Sequence, residues 1–147
     1  MIIQLTKKLK SVLETVGKFH NVYNYEPSNF NGSPVATVVP ASNENAYSTT
    51  TENERLYAFE VRVYINRGKD DTQNALADEA LRDLYDETLD ELDKNYLLSG
   101  LETKPGYTFI NMRAVPGSWG YAGLAQEYRF AVINITCRVY VDVNVIT

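Results

Sequence analysis

Apolar residues at the start of the chain recur three and four positions apart: Ile2, Leu5, Leu9, Val12, Leu13 and Val16. That spacing predicts a helix with one apolar stripe, leaves Lys7, Lys8 and Lys10 outside it, and makes Gly17 a plausible stop. The rhythm then shortens. Residues 22–25 and 35–39 read as two short extended pieces, separated by turn chemistry at Pro27 and Asn31-Gly32. Residues 41–53 are polar apart from Ala41, Ala46 and Tyr47, have little to bury, and predict an exposed loop.

Strict alternation begins after that loop. Tyr57, Phe59, Val61, Val63 and Ile65 point one way while Glu60, Arg62 and Tyr64 point the other, which predicts a strand over residues 55–66 with one packed and one partly wet face. Asp70, Asp71 or Thr72 then caps a long helix over residues 71–98, with Ser99-Gly100 ending it. Its apolar stripe is Leu76, Ala77, Ala80, Leu81, Leu84, Tyr85, Leu89, Leu92 and Tyr96, and acidic residues cover its other side. A strand over residues 107–115 is cut by Pro116-Gly117, and the Gly-Ser-Trp-Gly-Tyr-Ala-Gly run of residues 117–123 reads as a loop. The last alternation, residues 127–145, would extend roughly 60 Å as one strand, so a bend, a bulge or an excursion from the domain is expected.

This order has no βαβ repeat. It predicts an α+β class: one domain over residues 1–147, with a mainly antiparallel sheet and the N-terminal and long central helices packed on one face. The length and the 44% apolar content suffice for a single core.

Charge and chemistry narrow the function. The formal net charge of -5 gives no general attraction for nucleic-acid backbones. The mixed apolar and polar residues 1–16 read as neither a signal peptide nor a membrane span, and the single Cys137 suits a reducing compartment as a buried core thiol. His20 is the one histidine, and no carboxylate or nucleophile is tied to it by spacing. Asp83, Asp86, Glu87, Asp90 and Glu91 include pairs on adjacent helical turns, but no calcium-loop or Glu-x-x-His pattern accompanies them. The glycine-rich run lacks the Gly-Lys-Ser/Thr ending of a phosphate loop. These features predict no enzyme, no metal and no cofactor. Eleven tyrosines and one tryptophan point instead to contact surface, and Tyr47, Trp119, Tyr121 and Leu124 are the candidate interface residues.

The N-terminal helix, the residue 57–65 strand after a polar loop, the acidic helix and the hairpin-like pair around residues 116–124 together form a pattern over nearly the whole chain. With Gly117-Ser-Trp-Gly before the closing strand, it resembles the tail terminator and tail-completion proteins of long-tailed bacteriophages. The resemblance implies a homo-oligomer, a hexameric ring at the head-proximal end of the tail, assembled in the host cytoplasm. Its implied partners are the tail-tube protein and the head connector. DNA would pass through the ring without sequence-specific recognition, and no membrane, enzymatic step or cofactor is implied. An acidic surface suits such a conduit, since like charge discourages adhesion of DNA. Two other classes remain open: a small ligand-binding or regulatory module, marked by a concave apolar pocket, and a hydrolase using His20 with distant carboxylates.

Overall fold

The computed structural model describes residues 1–41, 44–47 and 52–145. Helix α1 spans Ile2–Glu14 and buries Leu5, Leu9, Val12 and Leu13, most of the stripe its spacing implies, while Ile2 at its start is exposed. It stops before Gly17, whose φ of 75° lies in the left-handed region. Strands β1 (Asn21–Tyr23), β2 (Val35–Pro40), β3 (Glu44–Tyr47) and β4 (Glu52–Asn66) precede helix α2 (Asp71–Lys94), and β5 (Tyr107–Ala122) and β6 (Tyr128–Asp142) close the chain.

All six strands share one sheet in the order β1-β2-β4-β6-β5, while β3 pairs with β4 beyond the end of β2. Every pairing is antiparallel except β1 with β2, which makes the sheet mixed. β4 and β6 form its spine in an unbroken register from Glu52↔Asp142 to Asn66↔Tyr128. Their odd-numbered residues from Tyr57 to Val63 and from Ala131 to Val141, among them Phe59, Val61, Ile133, Ile135 and Cys137, are buried in one core with Leu5, Leu9, Leu81 and Leu92 of the helices. Both helices therefore lie on one face of the sheet. Burial pushes the Cys137 thiol up to about 12, so it stays protonated and packs as a small apolar group.

α2 opens with reciprocal hydrogen bonds. Asp70 accepts from the Gln73 N–H at 2.8 Å, and the Gln73 side chain accepts from the Lys69 N–H at 2.7 Å. These satisfy donors the first turn leaves free, and Asp71 in the first turn and Lys94 in the last both complement the helix dipole. The helix ends at Lys94 instead of continuing to residue 98. Leu98, at φ 44°, turns the chain back and is buried in the core. Three residues of the expected stripe, Leu76, Ala80 and Tyr96, are exposed: Leu76 and Ala80 sit in the first half of the helix and Tyr96 beyond its end.

Three further expectations change. The polar run is not simply a loop, because Glu44–Tyr47 pairs with residues 53–56 of β4; residues 42–43 and 48–51 lie outside the described residues. A ladder satisfies such a segment through its backbone, so its low apolar content is no bar. Pro116-Gly117 does not end β5, which runs on to Ala122 with register shifts at 109/111 and 116/119. Proline lacks a ladder donor and is tolerated at a bulge or on an edge strand, and β5 is both bulged and at the edge. Finally, β6 is shorter than residues 127–145, and the irregularities fall on its partner β5.

Candidate functional site

The far end of the β5–β6 hairpin carries a stack of aromatic and guanidinium groups. Past the second bulge Trp119 lies opposite Ala131, and Tyr121 lies opposite Arg129. The Trp119 ring sits 5.0 Å from the Tyr85 ring of α2, and the Arg129 guanidinium lies 5.5 Å from Trp119 on one hand and 4.5 Å from Tyr121 on the other. Arg67, just after β4, lies 4.7 Å from the Tyr121 ring. The sequence of layers is Tyr85, Trp119, Arg129, Tyr121, Arg67, alternating ring and cation after its first ring pair. Each cation-ring contact contributes about 0.5–1 kcal/mol where solvent reaches it and more where it does not.

Hydrogen bonds fix the stack at several points. Arg129 donates to the Gly120 carbonyl at 3.1 Å and to Asp78 of α2 at 3.3 Å. Arg67 donates to the Gln126 carbonyl at 3.2 Å, which ties the turn after β5 to the end of β4. The Tyr85 hydroxyl donates to the Val132 carbonyl at 2.8 Å and accepts from the Gly117 N–H at 3.2 Å. Burial raises the Tyr85 pKa, and the Gly117 N–H acts the other way. Two glycines permit this packing: a Cβ on Gly117 would lie 2.9 Å from the Val132 carbonyl oxygen, and one on Gly120 would lie 2.8 Å from the Phe130 ring.

Tyr85→Phe is thus expected to cost about 1–3 kcal/mol of unfolding free energy, since it leaves a partly buried N–H at the bulge without its acceptor. Denaturant unfolding of the purified variant measures this, and a change below about 0.3 kcal/mol would show that water replaces the hydroxyl freely.

Although pinned, the stack remains open to solvent. Trp119 is 37% exposed and Tyr121 49%. Leu124, in the turn beyond, is fully exposed and lines a cleft of about 370 Å³ with Phe30 and Tyr128. Three of the four candidate interface residues therefore gather at one end of the hairpin. Tyr47 does not join them. Its backbone pairs with Asn53, whereas Trp119 lies level with Val63 through Ala131, so the two are separated by roughly 30 Å of strand. Trp119 also belongs to a strand and not to a mobile turn, and its ring is shared between intrachain packing and solvent.

Among the described residues the opposite face of the sheet bears no helix. At one end the segment before β2 covers it: Phe30 packs 4.5 Å from Tyr64 and 5.1 Å from Tyr128, and Tyr64 donates to Glu26 at 2.8 Å. Burial first, and the Glu26 carboxylate with it, raise the Tyr64 pKa to about 12. The remainder of the face mixes apolar residues with ion pairs, Arg62 to Glu60 at 3.1 Å and Arg138 to Glu54 at 2.6 Å. A cleft of about 510 Å³ there is lined by Arg113, Thr136 and Arg138 beside Leu56 and Met112.

His20 is exposed, its ring lies against Gly32, and its backbone N–H donates to the Pro34 carbonyl at 2.7 Å. Among the described residues no hydrogen bond or ion pair joins its imidazole to a carboxylate, and no three metal-ligating side chains converge. Neither helix is long and apolar enough to cross a membrane. Compared with known proteins, the chain matches no family model and no curated protein.

Proposed function

We propose that this chain is a non-enzymatic structural subunit that forms a ring on the tail tube of a long-tailed bacteriophage and joins it to the head connector. The observation that carries the reading is the hairpin end, where Trp119 and Tyr121 are presented on a braced strand and Leu124 in the turn beyond it. Large rings held in place before contact lose little conformational freedom on binding, and that is what an assembly surface needs. A ring further requires two different surfaces on each subunit, because the contact must be head-to-tail. The hairpin end offers one such surface. The negative net charge suits a conduit for DNA.

The test is particle mass and symmetry in solution, for the chain alone and mixed with a candidate tail-tube protein. A closed ring, alone or on the tube, is the expected result. A chain that stays monomeric at high concentration and ignores the tube protein would overturn the proposal, and activity lost in His20→Ala with fold and assembly intact would favour catalysis.

A further inference from the structure

One cleft of this molecule gathers hydrogen-bond donors and leaves an arginine without an acceptor. On the sheet face opposite the helices, the β5–β6 register sets Arg113 across from Thr136 and Asn111 across from Arg138. The two arginines are therefore diagonal neighbours on one face, roughly 7–8 Å apart at the backbone and able to reach a common group. They line the cleft of about 510 Å³ together with Asn111, Thr136 and Leu56. Tyr96 stands at its rim: the Tyr96 carbonyl accepts from the Met112 N–H at 2.7 Å, and the residue is exposed. Every other arginine holds a carboxylate, a hydroxyl or a backbone carbonyl. Arg113 has no such partner among the described residues.

Arg138 is only partly engaged. Its Nε and Nη2 both donate to Glu54 Oε1, at 2.7 and 2.6 Å, so one edge of the guanidinium is taken and Nη1 has no partner among the described residues. Glu54 is the one carboxylate among the described residues lining the cleft, and two guanidinium groups against it leave a single positive charge. Other acids of this face are engaged elsewhere: Glu60 with Arg62, and Asp142 with the Asn144 N–H at 3.0 Å. We propose that the cleft binds a monoanionic carboxylate carrying an apolar group. Arg113 and the free end of Arg138 bracket the carboxylate, the geometry in which guanidinium groups recognise such anions, and the apolar group rests on Leu56 and Tyr96. A phosphate monoester would bring nearly a second negative charge beside Glu54, which one net positive charge does not balance. The same carboxylate chemistry is offered by a small free acid and by the C-terminus of a peptide chain. This site goes beyond the ring reading and does not depend on it.

Titration calorimetry on the full-length chain tests this, with N-acetyl-leucine as the small acid and a pentapeptide ending in leucine as the chain terminus. N-acetyl-leucine is expected to bind with a Kd of about 1 mM or below, and its uncharged amide about tenfold more weakly or worse. Arg113→Gln should weaken the acid about tenfold or more, and Arg113→Lys by less, because lysine keeps the charge but loses the fork. Arg113 is exposed and leaves no partner behind, so both variants should fold as the wild type does, which far-UV circular dichroism verifies. Tighter binding of the pentapeptide than of N-acetyl-leucine would identify a chain end as the ligand, and equal binding a small acid. The cleft assignment is overturned if neither probe binds, if the amide binds as well as the acid, or if Arg113→Gln binds unchanged. It is likewise overturned if inorganic phosphate binds more tightly than either carboxylate. None of these outcomes bears on the ring reading, which particle mass decides.

Discussion

Phe59→Ala is expected to lower the stability of the domain by about 3–5 kcal/mol, the scale for deleting a fully buried aromatic side chain. Phe59 is 1% exposed and sits on β4 between Pro40 of β2 and Ile135 of β6, within the core shared by both helices. The strands on either side continue the sheet, so they cannot close over the space without disturbing two ladders, and a cavity remains. A domain of this kind holds about 5–15 kcal/mol in total, so the loss would bring the variant close to unfolding at moderate temperature. Urea denaturation followed by circular dichroism measures the change, and a loss below about 1.5 kcal/mol would show that α1 or α2 settles into the vacated volume. The hairpin end is remote from Phe59 along the strands, so the folded fraction of the variant should assemble as the wild type does.

The core was legible because its periodicities are long and clean. The stripe from Leu5 to Leu13 and the alternation from Tyr57 to Ile65 each have one solution, and both appear as expected. The same holds for the alternating residues of β6 from Ala131 to Val141. Legibility failed where the backbone, and not the side-chain pattern, decides. Proline and three glycines between residues 116 and 123 signal a loop by composition, yet the bulge absorbs Pro116, and Gly117 and Gly120 are there because Val132 and Phe130 approach too closely for a side chain. Glu44–Tyr47 pairs for the same reason, through ladder bonds that polar side chains do not oppose.

The site suffered from that one misreading. With β5 ended at residue 115, Trp119 and Tyr121 have no partners in sequence, and Arg129 is merely a charge at the start of a strand. Continued to Ala122, the hairpin sets Tyr121 opposite Arg129 directly, so the register itself would have found that pair. Arg67, Asp78 and Tyr85 are different. They reach the stack from the end of β4 and from α2, and only the packing of helix on sheet brings them there. Tyr47 and Trp119 are both candidate contact aromatics by composition, and the pairing of β3 with the far end of β4 separates them.

Trp119→Ala is expected to weaken assembly by about 2 kcal/mol or more, the scale of an interfacial aromatic anchor, while costing the folded subunit less than a core truncation does. The ring touches Tyr85 on one side and Arg129 on the other, and it is 37% exposed. An aromatic pair is worth about 0.5–1.5 kcal/mol beyond its area, and a solvent-reached cation-ring contact about 0.5–1 kcal/mol, so these two contacts account for about 1–2.5 kcal/mol of subunit stability, to which the buried part of the ring adds. Arg129 keeps Asp78, Gly120 and Tyr121 after the truncation, which limits the disturbance to one layer of the stack. Assembly and subunit unfolding measured on the same protein separate the two contributions. A subunit loss of about 3–5 kcal/mol with unchanged assembly would mean that the ring serves only its own sheet and helix, and the hairpin end would then no longer carry the assembly reading. Loss of assembly with a nearly intact subunit would place Trp119 at the contact itself, with its packing on Tyr85 and Arg129 serving to hold the ring ready for the neighbouring molecule.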